Sequence, residues 1–443
     1  MCGIAGWIDY QHDLRDREDI ICKMSDTLAR RGPDAHGVYL FENVCLIHRR
    51  LIVVDPENGV QPMTIQKGNT RYTIVYNGEL YNTNELREEL SAFGYRFKGH
   101  SDTEVLLTAF VHWGEACLEK LNGIYAFAVW NETNQNLYMA RDRMGVKPLF
   151  FFPFKDGIVF GSEIKTLLAN PLVRPVVDEN GLKEIFLLGP GRTSGRGVIK
   201  GVIELKPAEF LTFDKKAGLR VRKYWNLKAC EHTDDVKTSI EKIRFLITDS
   251  VRRQLISDVP LCCFLSGGLD SSIISKIAAD EYSAKNMGRL HTYSVDYVDN
   301  QSYYTKSIFQ PNSDNKYIKL MSDAIGSEHH EIVLDNESLA ESLDNAVSAR
   351  DLPGMADVDS SLLLFCNEVK RDFTVAVSGE CADEIFGGYP WYHNKDILFS
   401  DTFPWSQSLE IRQSILKNGL LPDGEEYVRQ QYNNTINSTD ILP

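Results

Sequence analysis

The chain has 443 residues, of which 43% are hydrophobic and 25% are charged, and these fractions exclude a disordered or collagen-like chain. At ~150 residues per domain, this length predicts two or three domains. A formal net charge of −14 argues against a protein that binds nucleic acid along a broad face. We find neither the ~18 apolar residues of a membrane span nor a signal peptide, so no membrane partner is expected.

The nine cysteines follow no regular spacing and include no C-x-x-C pair. We therefore predict reduced thiols in a cytoplasmic protein and no structural zinc site built from cysteine pairs. The adjacent Cys262 and Cys263 lie in an apolar run and are predicted to be strand residues.

Short apolar stretches between Gly, Asn and Asp residues predict a strand-rich region over the first ~225 residues. Two helices interrupt it, one at about 18–30 and one at Asp102–His112, where Ser101-Asp102-Thr103-Glu104 is typical of a capping box. This pattern favours antiparallel sheets with helices packed on them, an α+β arrangement. The predicted strands are Val44–Ile47, Tyr72–Tyr76, Tyr125–Trp130, Leu137–Ala140, Leu149–Phe152 and Ile158–Phe160.

The pattern changes after a predicted loop at Arg192–Gly201 and a polar linker at 228–238. Apolar residues spaced by three and four predict an amphipathic helix from Ile240 to Leu255. Strands then alternate with helices, which implies a parallel sheet with crossover helices, an α/β fold. The predicted strands are Val259–Leu265, 291–296, 330–334 and 373–377. One predicted helix begins at 271, and two more cover 337–348 and 359–369.

Cys2 is the first candidate catalytic residue. A cysteine taken alone is more often an inert core residue than a nucleophile. If Met1 is removed, however, the Cys2 thiol lies beside its own α-amine, whose ordinary pKa of ~7.7 to 8.0 suits a general base at neutral pH. One residue would then supply both nucleophile and base.

Further candidates are scattered through the first region: the Arg31-Gly32-Pro33-Asp34 turn, Arg50, Asn77-Gly78-Glu79 and Asp102. Each has an ordinary structural interpretation, as a turn, a solvated charge or a helix cap. Together with an N-terminal cysteine they supply what an amidase for an amino-acid amide needs. A guanidinium can bind an α-carboxylate, a carboxylate can hold an α-ammonium, and an Asn side chain with a Gly N–H can stabilise an oxyanion.

A second group of candidates lies in the α/β region. Leu265-Ser266-Gly267-Gly268-Leu269-Asp270-Ser271-Ser272 ends a predicted strand and starts a helix, where backbone N–H groups favour an anion. It differs from the ATPase P-loop, because no Gly-Lys-Ser/Thr follows at the required spacing. A later strand ends in Ser378-Gly379-Glu380, followed by Asp383. Two such strand ends predict a nucleotide and metal site between them.

Two other patterns are interpreted as structural. Gly189-Pro190-Gly191 with Gly195 lacks the spacing of a dinucleotide-binding loop, and no strand precedes it. His329-His330 is followed by Glu331 and lacks the helical spacing of a zinc protease.

The motifs match known families in order. Cys2-Gly3-Ile4-Ala5-Gly6, Arg31–Asp34, Arg50-Leu51, Asn77–Glu79 and Ser101-Asp102 resemble the class II glutamine amidotransferases, and Ser266–Ser272 with Ser378–Tyr389 resembles the ATP pyrophosphatases. The combination is similar to the glutamine-hydrolysing asparagine synthetases. The resemblance implies an N-terminal-nucleophile αββα sandwich over 1–225 and a doubly wound parallel-sheet ATP pyrophosphatase domain over 236–443. Such proteins usually continue well past the position of Pro443, so we expect the second domain to be incomplete at its C-terminus.

The resemblance also implies roles for single residues. Cys2 would attack the glutamine carboxamide, Asn77 and Gly78 would form the oxyanion hole, and Arg50, Glu79 and Asp102 would fix the glutamine backbone. Glu380 would be the base of the final amide-forming step. The expected ATP-binding residues are Leu265, Ser266, Gly267, Gly268, Asp270, Ser271, Ser272, Val295, Ser378 and Gly379, and the expected Mg²⁺ ligands are Asp270 and Asp383. Cys381 occupies a position where many relatives have Gly.

The substrates implied are glutamine, aspartate and ATP, with no nucleic-acid partner and a homodimer as a candidate assembly. Two alternatives stay open. One is a related ATP-dependent amidotransferase or cyclase that acts on another carboxylate, with an acceptor pocket around Arg350–Ser361. The other is a protein that only hydrolyses glutamine, because the second domain is incomplete.

Overall fold

The computed structural model describes residues 1–306, 313–417 and 419–437. They form two compact units: the first contains Met1–Ala229 together with the described residues from Leu409 to Asn437, and the second contains the described residues of Cys230–Ser408. Among these residues, no helix combines the length and apolar character needed to cross a membrane.

The first unit is built on two six-stranded antiparallel sheets. Its strands are β1 (Gly3–Asp9), β2 (Ala35–Phe41), β3 (Val44–Arg50), β4 (Met63–Lys67), β5 (Thr70–Leu80), β6 (Gly123–Asn131), β7 (Asn136–Arg141), β8 (Phe150–Phe154), β9 (Gly157–Gly161), β10 (Ile203–Glu204), β11 (Glu209–Asp214) and β12 (Gly218–Lys223). One sheet has the order β10-β8-β9-β1-β3-β2, and the other has the order β12-β11-β7-β6-β5-β4.

Helices cover the outer faces of the two sheets. The helical segments of this unit are α1 (Glu18–Thr27), α2 (Thr83–Ala92), α3 (Asp102–Trp113), α4 (Cys117–Lys120), α5 (Ile164–Leu168) and α6 (Glu179–Lys183), with one π-helical turn at Glu184–Leu188 and short 3-10 turns at Leu14–Arg17 and Gly114–Ala116. Helices α1 and α5 pack on the first sheet, and α2 and α3 pack on the second. The αββα architecture is therefore confirmed.

One apolar core lies between the two sheets. Ile4 and Leu46 from the first sheet pack there with Val75 and Ala128 from the second, and all four are fully buried. A second core, with Leu106 of α3, fills the layer between the second sheet and its helices. Because both faces of β1 are covered, all seven of its residues are buried, and this strand has no apolar–polar alternation by which it could be predicted.

The helix start at Ser101 differs in detail from the prediction. The Ser101 hydroxyl caps α3 by accepting a hydrogen bond from the Thr103 N–H. The Glu104 carboxylate accepts from the backbone N–H groups of Lys98 and Gly99, so it does not close a capping box. The Ser101 N–H donates instead to Asp55, at 3.0 Å.

The second unit contains a four-stranded parallel sheet of order β15-β14-β13-β16. Its strands are β13 (Leu261–Phe264), β14 (His291–Tyr297), β15 (Glu328–Leu334) and β16 (Val375–Val377). Its helices are α7 (Val236–Gln254), α8 (Leu269–Ala284), α9 (Asn300–Tyr303), α10 (Asn315–Ile325), α11 (Asn336–Glu341), α12 (Leu343–Arg350), α13 (Ala356–Val369), α14 (Ala382–Phe386) and α15 (Lys395–Leu398), with 3-10 turns at Pro390–His393 and Pro404–Ser406. Strands β14 and β15 lie on one side of β13 and β16 lies on the other, which confirms a doubly wound parallel sheet.

The helix predicted over 337–348 is two helices. Helix α11 ends and α12 begins at Ser342, whose hydroxyl donates to the Leu339 carbonyl. Apolar spacing alone does not reveal this break, because both helices pack against α13.

The chain from Leu409 folds against the first unit. It forms α16 (Leu409–Ser414) and α17 (Gly424–Asn437). The Tyr427 hydroxyl donates a 2.5 Å hydrogen bond to Glu184, which is fully buried. The Arg412 guanidinium donates to the carbonyl oxygens of Leu187 and Gly189.

Candidate active sites

The structure brings all six residues predicted for the amidase site into one pocket. Cys2, Arg50, Asn77, Gly78, Glu79 and Asp102 line it, together with Gln61, Tyr76 and Lys147. They come from the start of β1, the end of β3, the end of β5 and the first residue of α3. These segments converge because β5 contacts both β1 and β3 across the two sheets, and α3 packs on β5.

The Cys2 thiol lies against the backbone of Leu51. The Leu51 N–H donates to Cys2 Sγ at 3.4 Å, and the Arg31 Nε donates to the Cys2 carbonyl at 3.0 Å. Burial raises the pKa of the Cys2 thiol, while the Leu51 hydrogen bond and the positive N-terminal amine act in the opposite direction. The amine near the thiol here is that of Met1, and only removal of Met1 would give Cys2 an α-amine of its own to act as a base.

Asn77 offers an unused hydrogen-bond donor to the pocket. Asn77 is 1% exposed, and its Nδ2 is buried with no hydrogen-bond partner among the described residues. An unpaired buried N–H group is energetically costly, so such groups are rare unless a ligand completes them. Asn77 Nδ2 and the neighbouring Gly78 backbone therefore fit an oxyanion that develops during acyl transfer.

Arg50 is held rigidly. Its guanidinium donates to the carbonyl oxygens of Val54, Asp55 and Pro56, at 3.1, 2.6 and 2.9 Å. With five N–H donors in a fixed plane, the guanidinium keeps donors for a bound carboxylate.

Asp102 is one of two acidic residues that line the pocket, with Glu79. Its Oδ2 accepts hydrogen bonds from the Tyr76 hydroxyl at 2.9 Å and from the Leu80 N–H at 3.2 Å. Burial raises the pKa of the Asp102 carboxyl, and these hydrogen bonds act against that rise. Burial likewise raises the pKa of Glu79, and the nearby Lys147 ammonium opposes it.

The pocket residues that were not predicted from the sequence include Gln61, Tyr76 and Lys147. Gln61 accepts from the Tyr76 N–H at 2.6 Å, and Tyr76 in turn holds Asp102. Lys147 is 5% exposed, and burial lowers its pKa. Tyr76 directly precedes Asn77, but a tyrosine at the end of an apolar strand gives no separate signal, and Lys147 lies in a loop far from the recognised motifs.

The predicted nucleotide site lies where the strand order of the parallel sheet reverses. The loop after β13 contains Ser266, Gly267 and Gly268, and the loop after β16 contains Ser378 and Gly379. In open α/β sheets, ligands bind outside the carboxyl ends of strands at such a point.

The two loops touch each other. A β-carbon on Gly379 would lie 3.1 Å from both the Asp270 β-carbon and the Ser271 N atom. Ser271 Oγ lies 3.0 Å from Ser266 Oγ and accepts from the Ser266 N–H, so the first loop is also closed on itself. Gly268 precedes α8 without a side-chain cap, which leaves the helix N-terminus open to an anion.

A cavity of about 520 Å³ adjoins the first loop. Leu265, Ser266 and Val295 line it, as predicted for a nucleotide site, and so do residues that the sequence did not indicate. Among the latter, Asp296 accepts from the side-chain amides of Asn300 and Asn315, at 2.6 and 2.9 Å. Tyr297 also lines the cavity, and its hydroxyl is 2.6 Å from Ser361 Oγ, within the segment predicted for the acceptor.

The remaining predicted residues lie in or near the second loop. The exposed Glu380 donates its backbone N–H to Ser378 Oγ, and the half-buried Asp383 is in α14. Cys381 has a φ of 71°, a backbone conformation that glycine adopts more easily. This conformation explains why glycine suits the position.

The two loops supply only some of the ligands that a Mg²⁺ ion needs. Asp270 and Asp383 offer carboxylate oxygens, which Mg²⁺ prefers. In the part of the chain that the structure describes, the one cluster of three or more candidate metal-binding side chains lies elsewhere, at His291, Glu328 and His330. Phosphate oxygens and water would therefore have to supply the other ligands at Asp270 and Asp383.

Comparisons with known proteins assign a family to each of the two parts of the chain. A glutamine amidotransferase domain model matches residues 1–225, and an asparagine synthase model matches residues 242–440. Asparagine synthetase [glutamine-hydrolyzing] 3 of Bacillus subtilis is 49% identical over 444 residues, a match that covers the whole chain and 72% of that protein. Asparagine synthetase 1 of the same organism is 35% identical, over 88% of this chain and 59% of its own length, and asparagine synthetase B of Escherichia coli is 28% identical, over 89% and 65%. The chain belongs to the glutamine-hydrolysing asparagine synthetase family.

Proposed function

We propose that this chain is an ATP-dependent carbon–nitrogen ligase that makes asparagine with glutamine as the nitrogen donor. The observation that supports it most directly is that one chain contains both kinds of site. One is the Cys2 pocket with the unpaired Asn77 donor, and the other is the pair of Ser-Gly loops that meet where the strand order of the parallel sheet reverses.

In the first site, Cys2 is the nucleophile. With Met1 removed, its α-amine accepts the thiol proton and delivers it to the leaving ammonia, which leaves a thioester on Cys2. Water, deprotonated by the same amine, then cleaves the thioester, and glutamate and the free thiol are released. Asn77 Nδ2 and the Gly78 N–H stabilise the oxyanion of the tetrahedral intermediate. Arg50 binds the α-carboxylate of glutamine, and Asp102 with Glu79 binds its α-ammonium.

In the second site, the loop Ser266–Ser272 and α8 bind the phosphates of ATP, and Val295 lies beside the adenine. The aspartate side-chain carboxylate attacks the α-phosphate, and pyrophosphate leaves. Ammonia then attacks the β-aspartyl-AMP and displaces AMP, with Glu380 as the base. Asp270 and Asp383 would hold Mg²⁺, which would neutralise the charge of the phosphates when bound.

Other parts of the proposal concern assembly and location. Nine free thiols suit a cytoplasmic protein, and the net charge of −14 argues against a nucleic-acid partner. We also propose a homodimer, which light scattering on the purified protein would test.

The central experiment measures AMP, pyrophosphate and asparagine with glutamine or with ammonia as nitrogen source. Asp270→Asn should slow AMP release with either source and leave glutamate release from glutamine largely unchanged. Equal loss of both activities in a folded variant would contradict two separate sites. Replacing aspartate with other carboxylic acids tests the alternative of a different acceptor, and glutamate release without AMP tests the alternative of a glutaminase only.

A further inference from the structure

Three side chains outside both active sites converge on one face of the parallel sheet. His291 begins β14 and Glu328 begins β15, and the two residues are direct partners in the strand pairing. His330 lies two residues after Glu328, so it projects on the same face. One ligand atom from each of the three lies within 4.8 Å of the other two.

The two imidazoles are held close together. His291 Nδ1 lies 2.9 Å from His330 Nε2, and the two rings lie edge to edge, with 5.3 Å between their centroids and an angle of 8° between their planes. Tyr293 stacks on His330 at 4.6 Å, and Phe373 packs against His291 at 4.9 Å. Tyr293 and Phe373 restrict the side-chain rotamers of the two histidines, so the ring nitrogens are held in place before any ligand binds.

The carboxylate completes a three-residue set. Glu328 Oε1 lies 3.9 Å from His330 Nε2, and Oε2 lies 4.0 Å from His291 Nε2. Tetrahedral zinc with Zn–N distances near 2.0–2.1 Å separates its ligand nitrogens by about 3.3 Å. His291 Nδ1 and His330 Nε2 would have to separate by a few tenths of an ångström and turn toward a common ion, and the exposed Glu328 would supply a carboxylate oxygen.

We propose that His291, Glu328 and His330 form a binding site for a divalent transition-metal ion of the Zn²⁺ type. Two imidazoles and one carboxylate are a donor set that zinc accepts, with water in the fourth position. The ion would take the place of the proton that the two imidazoles share, and it would link the edge strand β15 to β14. The site lies at the amino ends of the strands, whereas the nucleotide loops follow the carboxyl ends of β13 and β16.

The test uses the full chain, stripped of metal with a chelator and kept reduced. Calorimetric titration with Zn²⁺ alone should give one ion bound per chain. His291→Gln and His330→Gln should each weaken this binding at least tenfold. His329→Gln is the matched control, because His329 lies on the opposite face, where its nitrogens contact Thr292 Oγ1 and Ser294 Oγ.

A second measurement requires no variant and addresses the cysteines. Co²⁺ bound to the native chain should show the visible bands of tetrahedral nitrogen and oxygen coordination without a thiolate-to-cobalt charge-transfer band. Absence of Zn²⁺ binding, binding that survives both glutamine substitutions, or a dominant charge-transfer band would each overturn the proposal.

Discussion

The Tyr76 hydroxyl donates a 2.9 Å hydrogen bond to the Asp102 carboxylate inside the pocket that contains Cys2. This bond opposes the effect of burial, which raises the pKa of Asp102. Tyr76 therefore keeps a buried carboxylate more ionised than its surroundings alone would permit, and an ionised Asp102 is what its proposed role in binding the glutamine ammonium group requires.

The pH dependence of glutamine binding should reveal the effect of Tyr76 on the ionisation of Asp102. Because the pKa of Asp102 is raised, the carboxylate gains its proton, as pH falls, at a higher pH than an ordinary aspartate does. We expect the KM for glutamine to rise on the acid side, and Tyr76→Phe should move that rise to still higher pH. Glutaminase assays across pH would measure it. A shift to lower pH in Tyr76→Phe would contradict the assigned role.

The oxyanion donor can be tested by truncation. Asn77→Ala removes the unpaired Nδ2, and loss of one such donor commonly lowers the rate by about 10²–10³. We expect kcat for glutamine hydrolysis to fall by this factor with a smaller change in KM. Asparagine synthesis from ammonia serves as the control and should stay near its native rate. A kcat unchanged in Asn77→Ala would exclude Nδ2 from the oxyanion hole.

The nucleophile assignment gives the third prediction. Cys2→Ala should abolish glutamate release from glutamine and spare synthesis from ammonia. Intact-mass measurement of active protein should show a chain that begins at Cys2. Fully active protein that retains Met1 would refute the self-base mechanism, since the α-amine would then belong to the wrong residue.

The nucleotide loop allows a matched pair of glycine substitutions. Gly267 and Gly288 both have positive φ, at 80° and 88°. A β-carbon on Gly267 would lie 2.9 Å from the Asp314 carbonyl, whereas one on Gly288 would have no atom within 4 Å. Both alanine variants should lose about 1–2 kcal/mol of stability from backbone strain. Only Gly267→Ala should also impair ATP-dependent AMP release, and equal AMP release by both variants would argue against contact between this loop and ATP.

Sequence reasoning identified the residues whose chemistry is carried in short local motifs. Cys2, Asn77 and Asp102 come together in the pocket as expected, because the strand and helix ends that bear them converge. Tyr76, Gln61 and Lys147 were missed, because their roles depend on which chain segments meet in space. Strand β1 was missed for a different reason: it is buried on both faces, and it contains Gly3 and Gly6, which have low strand propensity.

The histidines show the same limit. His329-His330 was interpreted as structural from its spacing within one segment. Its relevant neighbour, His291, lies on the adjacent strand at a register that only the paired sheet fixes. Spacing along the chain cannot show a cluster whose members are joined across a parallel sheet.

The contact between Tyr427 and Glu184 affects how the first unit can be produced as a fragment. A recombinant piece that ends near Ala229 would lose the tyrosine hydroxyl that donates to a fully buried carboxylate, and it would uncover the surface now shielded by Leu421 and Val428. Such a piece would be prone to aggregate, because the apolar surface that these residues now cover would face water. Joining residues 409–437 to this piece through a flexible linker would restore the contacts with Glu184 and the apolar surface. A minimal glutaminase should therefore be assembled from two separate stretches of the gene.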